Sequence, residues 1–290
     1  MGSILEALSP EQQIACSTQN NILLTACPGS GKTRTLTHRL AYQVLRDPAS
    51  KKIKIAITYT NRAAEEITNR LEGMNIDQSS IWAGTIHQFC MHFIIRPYAM
   101  YSKRLCKGYR IIDDYSKKAY GREIAERLGM HLNYYDDPFQ YENVRTEYKR
   151  VLKEKKEIDF DAILLISEEL LASCAFIGSN IASVISSILV DEFQDTNELQ
   201  YSILSTIYKA NKSIILMFVG DVNQAIYSSL GGVAKGKKEL ETLYEINFDS
   251  LSLKGCYRST QRLVDLYSRF EISKTDAHSV AKYKDEHGEI

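Results

Sequence analysis

Two groups of residues in this sequence have the types and spacing that phosphate chemistry needs. The first is Ala26-Cys27-Pro28-Gly29-Ser30-Gly31-Lys32-Thr33, a glycine-containing loop that ends on a lysine and a hydroxyl. Its glycines let backbone N–H groups turn inward around phosphate oxygens, and the N-terminus of a following helix adds positive potential. In such a loop Lys32 reaches the β and γ phosphates of ATP, and Thr33 offers its hydroxyl to Mg²⁺. A flexible Gly-Ser turn could hold the same residues. The apolar run before the loop and the helical pattern after it favour the phosphate reading.

The second group is Ile188-Leu189-Val190-Asp191-Glu192, where an apolar strand delivers two adjacent carboxylates to its end. Asp191 is suited to hold Mg²⁺ through water, and Glu192 to orient and deprotonate an attacking water. Paired acids alone usually mark a solvated turn, but here they follow a buried strand and lead directly into Phe193-Gln194-Asp195-Thr196. Downstream, Ile214–Val219 ends in Gly220-Asp221 and leads to Gln224, an amide placed to sense a γ-phosphate.

These residues need a scaffold that brings several strand ends together. Short apolar runs at Asn21–Ala26, Ile53–Tyr59, Ser187–Asp191 and Ser213–Gly220 predict strands buried on both faces. Helical patterns at Arg34–Leu45, Arg62–Leu71 and Leu199–Tyr208 lie between them. Alternating strands and helices predict an α/β fold with a parallel, doubly wound sheet, and ligands at the carboxyl ends of its strands. From His92 to Ile185 the chain is rich in Tyr, Lys and Glu, with helical patterns at Lys117–Leu128 and Tyr141–Lys156 and no comparable apolar run. This predicts a mainly helical insertion interrupting the sheet.

Composition narrows the class. Lys+Arg 36 balances Asp+Glu 36, so bulk charge does not point to nucleic acid, although local clusters still could. The 6 cysteines are scattered without a CxxC pair, which argues against a zinc site or a secreted disulfide framework. With no long uncharged apolar span and no secretory signal, the sequence reads as cytoplasmic, with no membrane partner.

Taken together, the motifs resemble those of the UvrD/Rep group of superfamily 1 DNA helicases. Leu8-Ser9-Pro10-Glu11-Gln12 is similar to the Q motif, and Ala26–Thr33 to motif I. Thr58 through Glu66 resembles motif Ia, and Gly84-Thr85-Ile86-His87-Gln88-Phe89 resembles motif Ib. Val190–Thr196, reading VDEFQDT, is the most specific match to motif II. Val219-Gly220-Asp221 through Gln224-Ala225-Ile226-Tyr227 resembles motif III, and Tyr257-Arg258-Ser259 the YRS of motif IV. Asp159-Phe160-Asp161 followed by Leu164-Leu165 is similar to the family's subdomain 1B.

The resemblance implies a RecA-like P-loop NTPase domain 1A in residues 1–91 and 186–250, and a 1B-like insertion in 92–185. The beginning of a second RecA-like domain, 2A, then falls in 251–290. It also implies ATP and Mg²⁺ as cofactors and movement 3′ to 5′ on single-stranded DNA or 3′-tailed duplex. Gln12 would read the adenine edge, Arg34 and Tyr257 would join the nucleotide-binding set, and Arg258 would reach across the domain cleft. Motifs Ia, Ib and III line a DNA track in this family. Tyr59 and Tyr227 would then stack bases, and Thr60, Asn61, Thr85 and His87 would contact phosphates without reading sequence. For Tyr59 a packed strand aromatic, and for His87 a satisfied loop or core histidine, are the competing readings. Lys149, Arg150, Lys153 and Lys155 in the insertion read as a solvated helix face.

Three departures from the family pattern stand out. Ser229 and Leu230 stand where an aromatic and an arginine usually precede the glycine late in motif III, and motifs V and VI are not recognisable after Arg258. Cys27 sits inside the loop, where Gly is common in the family. Either the thiol is simply tolerated, since only some loop positions need glycine, or a nearby lysine and helix N-terminus favour a thiolate that makes nucleotide binding oxidation-sensitive. Short UvrD-like proteins also occur beside nucleases in bacterial anti-phage systems. The sequence therefore also allows a nucleotide-binding regulatory or assembly subunit partnered by a nuclease or another protein.

Overall fold

The computed structural model describes residues 2–133, 135–224, 232–271 and 274–282. They form two compact units, one made of Met1–Ile86 with Gly178–Ile290 and the other of His87–Ile177. In chain order the strands are β1 (Ile22–Ala26), β2 (Ile53–Thr58), β3 (Ile81–Thr85), β4 (Arg110–Ile111) and β5 (Glu157–Ile158). They continue as β6 (Ile185–Asp191), β7 (Ile215–Gly220), β8 (Asp249–Leu253), β9 (Gly255–Cys256) and β10 (His278–Ser279).

The first unit is built on a six-stranded sheet in the order β3-β2-β6-β7-β1-β8. Every pairing in it is parallel. The fold is therefore the α/β class that the alternation of strands and helices predicts. The central strands β1 and β7 are apolar along almost their whole length because helices cover both faces.

On one face, the helix Lys32–Arg46 lays Leu36, Leu40 and Val44, one turn apart, against Leu24, Leu189, Met217 and Val219. Ile67 and Leu71 of the helix Asn61–Gly73 join the same cluster. Each fully buried leucine contributes about 1.5–3 kcal/mol to holding these helices on the sheet. The opposite face is aromatic. Phe218, which alternation turns away from Met217 and Val219, packs on Tyr201, Tyr244 and Phe248.

Two strands escape the sequence pattern. β3 and β8 form the sheet's two edges and are only partly buried, so their sequences, Ile-Trp-Ala-Gly-Thr and Asp-Ser-Leu-Ser-Leu, lack a continuous apolar run. β8 also crosses the boundary expected at residue 251, since Leu24 of β1 is in register with Leu251. The segment 251–290 thus starts inside this sheet, and the short parallel pair β9–β10 follows.

The second unit is mainly helical. The helices Asp114–Arg127 and Glu142–Lys155 enclose Ile124, Val144, Tyr148 and Leu152, and β4 and β5 form a two-residue parallel ladder. Arg150 is paired with Glu147 and Glu154, and Lys155 lies 4.1 Å from the Tyr120 ring centroid. Among the described residues, no helix is long and apolar enough to cross a membrane.

Candidate active site

β1 and β6 lie two positions apart in the sheet, with β7 between them, so their backbones stand about 10 Å apart. The loop after β1 has to cross that gap to bring its residues to β6. β1 runs out at Ala26 into the loop, which returns as the helix Lys32–Arg46. Gly29 and Gly31 have φ of +74° and +83°, a left-handed backbone that side chains disfavour. A methyl group on Gly29 would also lie 2.6 Å from Arg258 Cβ, and the amide of Tyr257 donates to the Gly29 carbonyl at 2.9 Å. Ala26, by contrast, ends a regular strand without a left-handed backbone, so no glycine is needed there.

No side chain caps the helix after Gly31, which leaves its first N–H groups directed at the loop. The Ser30 hydroxyl is buried without a hydrogen-bond partner. An anion in the loop would meet both kinds of donor. Pro28 is half-buried at the loop's start.

Lys32 Nζ crosses to Glu192 Oε2 at 3.1 Å, and Thr33 Oγ1 donates to Asp191 Oδ2 at 3.3 Å. The loop and the acid strand therefore meet over the end of β7. Glu192 has φ +51°, uncommon for a side-chain-bearing residue, which turns the chain sharply after Asp191. The Glu192 amide donates to Asp191 Oδ1 at 3.1 Å.

Burial pushes the Asp191 carboxyl up to about 7, with the neighbouring Glu192 charge adding to the rise and Lys32 and Thr33 opposing it. Burial, and then Glu192, raise Asp195 to about 6, and Asp195 Oδ1 is buried without a partner. Three carboxyl groups thus gather near the Lys32 ammonium, an arrangement that favours an additional cation. The donor set fits Mg²⁺, because Thr33 Oγ1 and Asp191 Oδ2 are hard oxygens lying side by side. Among the described residues, no group of three or more His, Cys, Asp or Glu forms a metal site by itself. Mg²⁺ in nucleotide sites needs only one or two protein oxygens plus substrate phosphates.

Sequence reasoning missed the part played by Gln194. Its amide is buried and bridges two strand ends, with Nε2 donating to Glu192 Oε2 at 2.8 Å and Oε1 accepting from the Asp221 amide at 3.1 Å. Gly220 makes room for this bridge, since a methyl group there would run into Gln194 Oε1 and lie 2.6 Å from Phe193 Cδ1. The glycine at the end of β7 and the glutamine two residues after Glu192 were visible in the sequence. Their contact across strands was not.

Several expected ligands are engaged elsewhere. Gln12 is 1% exposed, donates from Nε2 to the Ser30 carbonyl at 3.0 Å and accepts from the Ser9 amide at 3.1 Å. It caps its own helix and props the loop. Arg34 donates to the Ala7 carbonyl at 2.8 Å. Gln224 donates to Asp221 Oδ2 at 2.6 Å. Tyr257 and Arg258 are exposed beside Gly29.

Cys27 differs from the reactive thiolate that the loop's lysine and helix N-terminus suggest. It is fully buried with Cys256 and Val264, its thiol donates to the Lys254 carbonyl at 3.6 Å, and burial pushes it up to about 12. Desolvation outweighs the positive potential of the loop.

Of the expected DNA contacts, Tyr59, Thr60, Asn61 and Thr85 gather at the carboxyl ends of β2 and β3, where Thr58 is in register with Thr85. Tyr59 is 46% exposed and Asn61 is exposed. Thr60 Oγ1 accepts from the Ala63 amide at 3.2 Å and caps the next helix. His87 belongs to the other unit, where it meets the Phe160 ring edge-on at 5.9 Å and burial lowers its pKa. Tyr227, Ser229 and Leu230 lie outside the described residues.

A parallel sheet with a phosphate loop on β1 and an acid pair on β6 defines a RecA-like P-loop fold. The chain belongs to the AAA domain family, whose model matches residues 11–230. It is similar to the ATP-dependent DNA helicase PcrA of Leuconostoc citreum, 28% identical over 279 residues that make up 86% of this chain and 37% of that protein. DNA helicase II of Escherichia coli strain K12 is 26% identical over 290 residues, covering 90% of this chain and 40% of that protein. The resemblance to UvrD/Rep-type superfamily 1 helicases read from the motifs is thereby borne out. The chain spans about two-fifths of the length of these relatives. A looser structural likeness is to a crystal structure of Pif1 helicase from Candida albicans, with TM-score 0.45 and 12% identity, covering 89% of this chain and 43% of that one.

Proposed function

We propose that this chain is the ATP-binding and ATP-hydrolysing core of a UvrD/Rep-type DNA helicase or translocase. In this reading it couples MgATP hydrolysis to 3′-to-5′ movement on single-stranded DNA in the cytoplasm. The observation that carries the reading is the 3.1 Å pair between Lys32 and Glu192, which joins the phosphate loop to the acid strand. The names of the curated relatives, ATP-dependent DNA helicase and DNA helicase, support the DNA half of it.

Lys32 neutralises Glu192. Phosphate oxygens entering the loop compete for the ammonium and draw it off, and Glu192 is then held by Gln194 Nε2 alone. Its carboxylate accepts a proton from the water whose oxygen attacks the γ-phosphorus, while the bond to the β-phosphate oxygen breaks. Thr33 and Asp191 would hold Mg²⁺, which when bound would supply charge neutralisation on the phosphate oxygens. Gln224 and Arg258 act on the γ-phosphate side. Tyr59, Thr60, Asn61, Thr85, His87 and Tyr227 contact the DNA strand.

The test is ATP turnover with and without oligothymidylate, run beside displacement of a strand from 3′-tailed and 5′-tailed duplexes. Turnover that rises with DNA and displacement from the 3′-tailed duplex are expected. Turnover indifferent to DNA would overturn the coupling, and displacement from the 5′-tailed duplex alone would overturn the polarity.

A further inference from the structure

Between Asp77 and Asp113 the chain has no acidic residue, yet it holds Arg96, Lys103, Arg104, Lys107 and Arg110. In a protein whose cations and anions balance overall, that is a local excess of positive charge. Arg110 pairs with the buried Glu157. Among the described residues, no carboxylate pairs with Arg96, Lys103, Arg104 or Lys107, and all four are exposed. Elsewhere in the same unit Arg127, Arg145 and Arg150 each have a glutamate partner.

Tyr98 and Tyr101, which fall between Arg96 and Lys103 in the chain, belong to an aromatic cluster. Tyr101 and Phe176 have ring centroids 5.1 Å apart at 68°, and Tyr98 lies 6.1 Å from Phe176 at 71°. Edge-to-face packing leaves ring faces uncovered, and Tyr101 and Phe176 are 57% and 43% exposed, with Met100 beside them at 83%. The segment is fixed from beneath. Leu105 is buried, and the Ser102 carbonyl accepts from the amides of Leu105 and Cys106 at 3.1 and 2.9 Å.

We infer that the Tyr98–Tyr101–Phe176 cluster, with Arg96, Lys103, Arg104 and Lys107, is a binding surface for single-stranded nucleic acid. Unpaired bases stack on the rings, and backbone phosphates lie along the cations. Exposed ring faces suit unstacked bases, which a duplex does not offer, and unneutralised cations suit a polyanion. The inference rests on the nucleic-acid reading proposed above and adds residues that the motif pattern does not name.

The test measures binding of fluorescein-labelled oligothymidylate to the full chain by anisotropy across a salt series, with ATP-analogue affinity and melting temperature recorded in parallel. Tyr101→Ala and Phe176→Ala are expected to weaken DNA binding by about tenfold each, and Tyr101→Phe to retain it. The double variant Lys103→Gln/Arg104→Gln is expected to make the log–log salt slope shallower by about 1.4. ATP-analogue affinity and melting temperature stay at wild-type values. Wild-type DNA binding with unchanged affinity and slope in every variant would overturn the inference while sparing the proposed function. So would unchanged DNA binding with loss of a co-purifying protein, which would make the patch a protein contact. No DNA binding by the wild-type chain would overturn both.

Discussion

Glu192 is held between a cation and an amide, and the two have different fates when phosphate arrives. In the proposed mechanism Lys32 leaves for the nucleotide, whereas Gln194 stays on the same carboxylate oxygen, which it meets at 2.8 Å while its own oxygen accepts from the Asp221 amide at 3.1 Å. In that mechanism Gln194 is a positioning residue acting through Glu192. Gln194→Ala is expected to lower the kcat of ATP hydrolysis by about tenfold, roughly the worth of one charge-assisted hydrogen bond, with KM little changed. Steady-state kinetics separate that outcome from a loss of nucleotide binding, which would raise KM.

Asp191 offers a second test at this scale. Its pKa is raised from 3.8 to about 7, chiefly by burial, so the folded chain holds a proton there that the unfolded chain has released. Above the unfolded pKa the native state binds more protons, and this group's contribution to stability falls as pH rises towards 7. In EDTA-containing, nucleotide-free buffer, the melting temperature of Asp191→Asn relative to wild type is expected to climb between about pH 5 and pH 8. A difference that stays flat over that range would show that the carboxyl is not buried in this way.

Among the elements, the central strands were legible in the sequence because burial on both faces forces a continuous apolar run. β1, β2, β6 and β7 fall within two residues of their expected bounds. The edge strands β3 and β8 carry Trp82, Gly84, Ser250 and Ser252 on partly exposed ladders, so their identity depends on neighbours rather than local composition. The same logic covers the site. Lys32, Thr33, Asp191 and Glu192 follow strand–loop signals within a few residues. The tether from Gln194 to β7 and the engagement of Gln12 with Ser30 are tertiary contacts, as is the apolar packing that silences Cys27.

Gly220 ties those tertiary contacts to a strand end. Gly220→Ala places a methyl group against Gln194 and 2.6 Å from Phe193 Cδ1, which must move. Overpacking of this kind costs about 1–3 kcal/mol. Denaturant unfolding is expected to show that loss, and ATP turnover to fall with it. A variant of wild-type stability and activity would mean that β7 and the acid turn are not coupled there.

For the whole molecule, strand order decides which residues can cooperate. Placing β7 between β1 and β6 opens a gap that Lys32 and Glu192 span, while β2 and β3 carry the candidate DNA contacts to the neighbouring strand ends. The insertion unit contributes a surface of its own in the unneutralised segment from Arg96 to Lys107. In the proposals above, nucleotide and nucleic acid thus fall on different strand ends of one sheet, with a further nucleic-acid surface on the insertion unit.

The role of the Lys32–Glu192 pair is tested most directly by single-turnover hydrolysis of bound ATP in wild type and Glu192→Gln. Removing the carboxylate frees Lys32 for phosphate and removes the base. Glu192→Gln is therefore expected to bind ATP at least as tightly as wild type while its hydrolysis rate falls by about 10²–10⁴-fold. Hydrolysis by Glu192→Gln at the wild-type rate would contradict the assignment.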